Sequence, residues 1–408
     1  MGLQGMFLFV LLLCSVAVVN CDEQQNEARQ AVVQSNNQFS TALYQALSSE
    51  PGNLVMSPLS VGAVMSMAWL GARGETASQL ATGLRLPDSP SQVKAGFKNL
   101  LSSLQSTQTV TLEIANKIFI QQSSGVKDDY RQAVVEHFRS DAEEVDFYNN
   151  TEAVRTSINQ WVEEKTHNKI KDLIQEGSLR PEALLVIVNA IYFQGGWRKP
   201  FDESSTRMEP FHLTATSTVN VSTMRQTDRF KYGEIPELNC KALRMFYRGN
   251  NDDRWGDDAT QSMLILLPNE IEGLAGLEAN ITTLNVSDIT SRLSSSEVIV
   301  SLPRFKVEKS LKMKDALIQM GITHIFAPGA DLSGITDANV YVDKVIQKAF
   351  VEVTEKGTEA AAATYAELVF MSAQLENIEF KADRPFLFLI LDDTTGTILF
   401  MGRVVNPS

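Results

Sequence analysis

Cysteine is nearly missing from this chain of 408 residues: of three, Cys14 and Cys21 fall in or at the edge of an apolar N-terminal run, leaving only Cys240 in the body. No disulfide framework can hold such a fold, and a lone thiol reads as a small buried hydrophobe before it reads as a nucleophile. Stability has to come from a large core, which about 385 residues can build at 44% hydrophobic content. Histidine is scarce too, at positions 137, 167, 212 and 324. There is no Gly-x-Ser-x-Gly, His-Glu-x-x-His, Cys-x-x-Cys or Gly-x-Gly-x-x-Gly. These absences leave no motif for a hydrolase, a metalloprotease, a dithiol redox centre or a dinucleotide site. Only a triad assembled from distant residues could make the chain an enzyme. No metal or cofactor is indicated.

Dense Lys/Arg clusters are lacking as well, and the net charge of −13 belongs wholly to the chain after residue 21. That balance argues against nucleic acid as a partner and against a polyanion such as heparin. No stretch beyond the N-terminus reaches the roughly 18 apolar residues of a membrane helix, and the C-terminal Val404-Val405-Asn406-Pro407-Ser408 carries no retention tetrapeptide. Neither a linker nor a repeat divides residues 22–408, so one continuous domain is expected, and a monomer.

What is present begins with an address. Phe7 to Val19 is an uninterrupted apolar run followed by small residues and then by Asp22-Glu23, the layout of an export signal over residues 1–21, cleaved after Ala17 or Cys21. The usual positive flank is missing, and a buried N-terminal helix is the other reading. Four Asn-x-Ser/Thr sequons, at Asn149, Asn220, Asn280 and Asn285, agree with a secreted, glycosylated chain.

Apolar spacing near 3.6 predicts helices over 29–47, 58–70, 91–105 and 152–165, with Ser57 capping and Pro58 in the first turn of the second. Strands are predicted at Leu112 to Ile120, Leu184 to Phe193, Ser262 to Leu267, Val298 to Leu302, Lys344 to Val353, Phe386 to Leu391 and Ile398 to Val405. Several are apolar on both faces, as strands covered on two sides are. The class is α+β, with a buried central sheet. Asn250 to Asp258 interrupts the pattern as an acidic surface loop.

The most informative stretch follows the strand ending at Val353: Glu355-Lys-Gly-Thr-Glu-Ala-Ala-Ala-Ala-Thr-Tyr-Ala-Glu-Leu-Val-Phe-Met-Ser372. Four alanines favour helix, whereas Gly357 and the threonines around them do not. Counted by twos, Thr358, Ala360, Ala362, Thr364, Ala366, Leu368 and Phe370 are all uncharged, and Glu359 and Glu367 fall on the opposite phase. Such a segment can lie as a strand with one face buried. At roughly 3.3 Å per residue, Thr358 to Met371 would extend about 46 Å. Its small leading side chains would let it slide between strands already packed, with Gly357 as a hinge. An ordinary Ala-rich surface loop fits the same pattern.

Glu355 to Thr364 resembles the hinge motif of the inhibitory serpins almost letter for letter. Similar serpin patterns run along the whole chain: Ser57-Pro-Leu-Ser60, Asn189-Ala-Ile-Tyr-Phe-Gln-Gly-Gly-Trp197, Leu302-Pro-Arg-Phe305, Phe326-Ala-Pro-Gly-Ala-Asp-Leu-Ser-Gly334, Asp383-Arg-Pro-Phe386 and Phe400-Met-Gly-Arg-Val-Val-Asn-Pro407. The resemblance implies a serpin fold: a large central mixed sheet, two smaller sheets, eight to nine helices, and an exposed reactive-centre loop at about 355–378. It implies a suicide substrate, not an enzyme. A serine protease attacks the loop, the loop inserts into the main sheet, and the protease is trapped as a covalent acyl complex.

Family spacing places the scissile bond at Met371-Ser372, with Phe370 and Leu368 as rival registers, and a long apolar anchor suits elastase-like or chymotrypsin-like pockets. The resemblance assigns the hinge to Glu355, Gly357, Thr358, Glu359, Ala360, Ala361, Ala362, Ala363 and Thr364. It assigns the cluster at which the sheet opens to Ser57, Ser60, Asn189 and Gln347, with Trp197 near the loop. One departure stands out: many vertebrate serpins have a histidine where this chain has Gln347, so a pH response built on it should be absent. Gln347 and the run from Phe380 to Ile390 look similar to arthropod haemolymph serpins, which restrain protease cascades in clotting, melanisation and immunity. A non-inhibitory serpin, acting as carrier, storage protein or peptide donor, is the second reading.

Overall fold

The computed structural model describes residues 3–104, 109–249, 259–358 and 378–408, with side chains from Glu23 onward. The helices are α1 (Leu3–Leu47), α2 (Pro58–Gly71), α3 (Gly74–Gly83), α4 (Pro90–Ser103), α5 (Asp128–Phe138), α6 (Phe147–Lys165), α7 (Leu274–Ala279), α8 (Val286–Arg292) and α9 (Lys314–Gln319). The strands are β1 (Leu54–Met56), β2 (Val110–Gln121), β3 (Asp141–Val145), β4 (Leu185–Gly196), β5 (Arg207–Thr214), β6 (Ser217–Ile235), β7 (Cys240–Phe246) and β8 (Gln261–Pro268). They continue with β9 (Ser294–Pro303), β10 (Phe305–Lys312), β11 (Val342–Thr354), β12 (Gly357–Thr358), β13 (Ile378–Lys381), β14 (Phe386–Asp392) and β15 (Thr397–Val404).

Six strands form the central mixed sheet, in the order β10-β11-β12-β4-β2-β3. Its two middle strands, β4 and β11, run parallel, while β2 and β10 flank them antiparallel. The two smaller sheets expected from the resemblance are one hydrogen-bonded ladder among the described residues, because β6 is long enough to serve both. Its first part pairs with β5, its last part with β7, and β9 runs alongside. The result is nine-stranded. The all-apolar strands of the sequence lie where both faces are covered: β8, β14 and β15 are buried along their full length.

A large core fills the space between the two sheets and takes in α2 and one face of α1 and α4. A second, smaller core lies on the outer face of the central sheet, under α6 and the segment that follows it. Helix α2 is buried almost all round, and its start is held as the sequence requires: the Ser57 hydroxyl accepts a hydrogen bond from the Ser60 amide at 3.3 Å, with Pro58 in the first turn. The predicted helix at 29–47 lies inside α1, whose side chains pack from Ala28 onward. Of the sequence readings, the acidic loop at 250–258 and most of the loop at 355–378, from Glu359 to 377, lie outside the described residues.

Candidate functional site

Along most of their length β4 and β11 are hydrogen-bonded neighbours, Val342 lying opposite Leu185 and, past a bulge at Asp343, an unbroken register running from Lys344 opposite Val186 to Phe350 opposite Tyr192. Beyond Phe350 they part, and the two residues of β12 occupy the gap. Thr358 pairs with Val353 on one side and Gly195 on the other; Gly357 pairs with Thr354 and Gly196. A slot paired on both edges fixes the residue type at its mouth. Gly357 has φ +142, and a Cβ there would stand 2.2 Å from the Gly195 carbonyl oxygen, so no other side chain fits.

Around this slot the side chains form a buried clamp. Thr358 is fully buried, and its hydroxyl meets the Tyr247 hydroxyl at 2.7 Å. Tyr247 lies stacked on Trp197 with ring centroids 4.7 Å apart. The Trp197 indole donates to the Thr354 carbonyl at 3.0 Å, and its backbone amide donates to the Lys356 carbonyl at 2.9 Å. Burial pushes the Tyr247 phenol far up, so it is a neutral hydrogen-bonding group at every physiological pH.

The turn between β11 and β12 is anchored by Glu355. Arg304 donates to its carboxylate through Nε at 2.6 Å, and Thr206 donates to the same oxygen. Burial alone would raise this carboxyl, but hydrogen bonds from Arg304 and Thr206 outweigh it and hold the group below its ordinary value. A depressed carboxylate stabilises the fold above the unfolded pKa, and that stability is lost as pH falls through the lower, folded one. Glu355→Gln is therefore expected to cost about 1–2 kcal/mol at neutral pH, since Arg304 is half in solvent. In chemical denaturation the difference from wild type should be complete above about pH 4.5 and vanish in stronger acid.

Lower on the same seam sits a polar cluster beneath the N-terminus of α2. Gln347 and Asn189 lie directly opposite each other on β11 and β4. The Gln347 amide donates to Asn189 Oδ1 at 2.5 Å and to the Ser57 carbonyl at 2.8 Å, and its oxygen accepts from the Ser57 amide at 3.0 Å. Asn189 donates to Ser60 and Asn116, and Ser60 donates to Asn116 at 3.0 Å. Ser57, Ser60, Asn189 and Gln347 are fully buried. A primary amide satisfies these partners with two donors and an acceptor and has no proton to gain near neutrality.

The structure thus brings Ser57, Ser60, Asn189 and Gln347 together and places Trp197 apart from them, at the slot with Glu355, Gly357 and Thr358. The rest of the expected hinge, Glu359 to Thr364, and the expected scissile bond Met371-Ser372 lie outside the described residues. All four sequon asparagines are exposed: Asn149 in the first turn of α6, Asn220 on β6, Asn280 after α7 and Asn285 capping α8. Cys240 is buried, and burial, then the nearby Glu237 charge, raises its thiol to about 12, which leaves it protonated.

Sequence reasoning missed Asn116, Tyr247, Arg304 and Thr206. Asn116 had a signal, being a polar residue in the middle of a predicted buried strand, and Arg304 lay inside a quoted motif. Nothing in the sequence pointed to Tyr247 or Thr206.

Fold and site together define the class: an α+β protein in which Gly357 and Thr358 stand as a short strand between β11 and β4 of its central sheet. Residues 34–407 match the family described as Serpin (serine protease inhibitor), and the chain belongs to that family. It is similar to Iris from Ixodes ricinus, 39% identical over 90% of this chain and 96% of the relative. Among solved structures it is similar to Serpin48 of the insect Tenebrio molitor (TM-score 0.83, 33% identity, 93% of this chain and 99% of the other). Human thyroxine-binding globulin complexed with thyroxine is also similar, with TM-score 0.82 and 29% identity over 94% of this chain and 100% of the other. No helix among the described residues is long and apolar enough to cross a membrane.

Proposed function

We propose that this serpin is a secreted, single-use inhibitor of an elastase-like or chymotrypsin-like serine protease, exported by residues 1–21 and glycosylated at its exposed sequons. The observation that carries the reading is the seat of β12, a slot bonded on both edges with Gly357 and Thr358 in it. Continued in that register, the inward phase would place Ala360 between Val351 and Phe193, and Thr364 between Gln347 and Asn189. A charge or a proline on that phase would stop insertion, and the sequence has neither from Thr358 to Phe370.

In the reaction the protease serine oxygen attacks the Met371 carbonyl carbon. The Met371-Ser372 peptide bond breaks, the amine leaves with a proton from the protease's own base, and an ester joins Met371 to the protease. The freed N-terminal arm becomes a full strand between β4 and β11 and carries the protease with it. Displacement distorts the protease's active site, so water does not complete the hydrolysis. This chain supplies substrate and trap; it is consumed and needs no cofactor.

The second reading, a non-inhibitory serpin, is favoured by the likeness to thyroxine-binding globulin. Incubation with elastase or chymotrypsin separates the two. An adduct that survives boiling in detergent is expected, with release of fragment 372–408 bearing Ser372 as its new N-terminus, as read by mass spectrometry. Fragments without an adduct, for every protease tried, would establish the plain substrate instead.

A further inference from the structure

Cations gather on one face of the nine-stranded ladder, although the chain as a whole carries a net charge of −13. Side chains alternate along a strand, so Arg229 and Lys231 of β6 stand on the same face, and both are exposed. Lys231 lies opposite Ser295 of β9 and opposite Arg244 of β7. Arg198, just past the end of β4, joins this group, with its guanidinium carbon 4.7 Å from the centre of the Phe246 ring. Together Arg198, Arg229, Phe230, Lys231, Phe246 and Ser295 line a groove of about 250 Å³.

The charges in this groove are not neutralised by their neighbours. Among the described residues Arg198, Arg229 and Lys231 have no ion-pair partner, whereas the adjacent Lys199 is paired with Asp228 and Arg244 with Asp393. Glu297, opposite Arg229 on β9, is exposed and makes no ion pair with it. The cations are also held in place. Arg198 rests on the Phe246 ring, and its backbone amide donates to the Phe246 carbonyl at 3.0 Å. Strand β6 is hydrogen-bonded to β7 on one side and β9 on the other, so Lys231 rises from backbone fixed on both edges. Three unpaired cations on rigid elements around one concavity make a standing positive potential.

Lining and size select the ligand. Guanidinium groups present their donors in a planar fork that matches oxyanions. A sulfate or phosphate ester offers three terminal oxygens to three cations, where a carboxylate offers two. The Phe246 ring gives an apolar surface beside them, which a bare inorganic anion would leave uncovered. A volume just short of the roughly 300 Å³ at which drug-sized ligands begin to fit holds one ring with its anionic group and excludes a long chain. We infer that this groove binds an aryl ester of sulfate or phosphate, such as a sulfated or phosphorylated tyrosine side chain, with Arg198, Arg229 and Lys231 on the ester oxygens and Phe246 against the ring. Binding here needs neither a protease nor cleavage of the loop.

Calorimetric titration of the intact protein with O-sulfotyrosine and with O-phosphotyrosine tests this, against tyrosine and inorganic sulfate. Both esters are expected to bind at least about tenfold more tightly than either control, and less tightly as salt is added. Phosphotyrosine should gain affinity as pH rises through about 6, where its second proton leaves, and sulfotyrosine should not. Arg229→Gln and Lys231→Met should each weaken ester binding about fivefold, the effect of losing one partly exposed ionic contact. Phe246→Leu should weaken the esters and leave inorganic sulfate as it was; Lys199→Met, whose charge is already paired, should match wild type. Arg229 and Lys231 are exposed, so those variants should melt with wild type. Should Phe246→Leu not fold, the comparison of ester with inorganic sulfate decides the part of the ring. Failure of both esters to bind, affinity no better than for inorganic sulfate, or binding that survives Arg229→Gln and Lys231→Met together overturns the inference. So does retention of heparin without binding of either ester, which would make this face a surface for long polyanions.

Discussion

Cutting the wild-type protein after Met371 is expected to raise its melting temperature by at least about 10 °C, with no change of composition beyond one hydrolysed bond. Intact, the loop is tethered at both ends, and β11 and β4 close directly on each other below Thr358. Cleavage frees one end. The residues after Thr358 can then add hydrogen bonds to both neighbours and bury their inward side chains, which have no charge to desolvate. A gain of several kcal/mol is comparable with the whole stability of many domains, and each kcal/mol is worth roughly 2 °C for a chain of this size. Calorimetry on intact and nicked samples measures it. Equal melting temperatures would mean that the slot accepts β12 and nothing more.

Ala360→Asp is expected to abolish trapping while sparing the intact fold. In the continued register its side chain would be flanked by Val351 and Phe193, both fully buried, and an unpaired carboxylate there costs several kcal/mol. Insertion would stall two residues past the seat, so the ester would hydrolyse. Adduct yield should fall by about 100-fold as the loop is cleaved like any substrate, and the intact melting temperature should not move, because the change lies beyond β12. Glu359→Gln is the control. Its neighbours in the same register are Gln194 and Glu352, both partly exposed, so trapping should persist. If Ala360→Asp still yields a full adduct, the inward phase has been assigned to the wrong residues.

Strands apolar on both faces were legible because covered strands need no alternation, and β4, β8, β14 and β15 lie within a few residues of where they were read. The strands β5, β6 and β7 were not legible. Their outer faces carry Arg, Lys, Glu and Asn, exposed on β5 and β6 and partly exposed on β7, so each reads like a surface loop until its partner is known. Helices α3 and α5 are short, with only Thr76, Leu80 and Gly83 buried in the one and Tyr130, Val134 and Phe138 in the other, too few to make a periodic stripe. The hinge reading rests on composition, a glycine and then small uncharged residues at every second position, and its part beyond Thr358 lies outside the described residues.

By itself the sequence determined the local terms: the Ser57-Pro58 helix start, the apolar runs that must be covered, the absence of a disulfide framework, and one alternating phase free of charge after Gly357. Each depends on residues close together in the chain. Only the tertiary structure decided that Gln347 bonds to Ser57 and Asn189 and that Tyr247 receives Thr358. Those partners are separated by up to 290 residues. Whether they meet depends on strand register, and a strand's own residues do not contain its register until a neighbour is laid beside it.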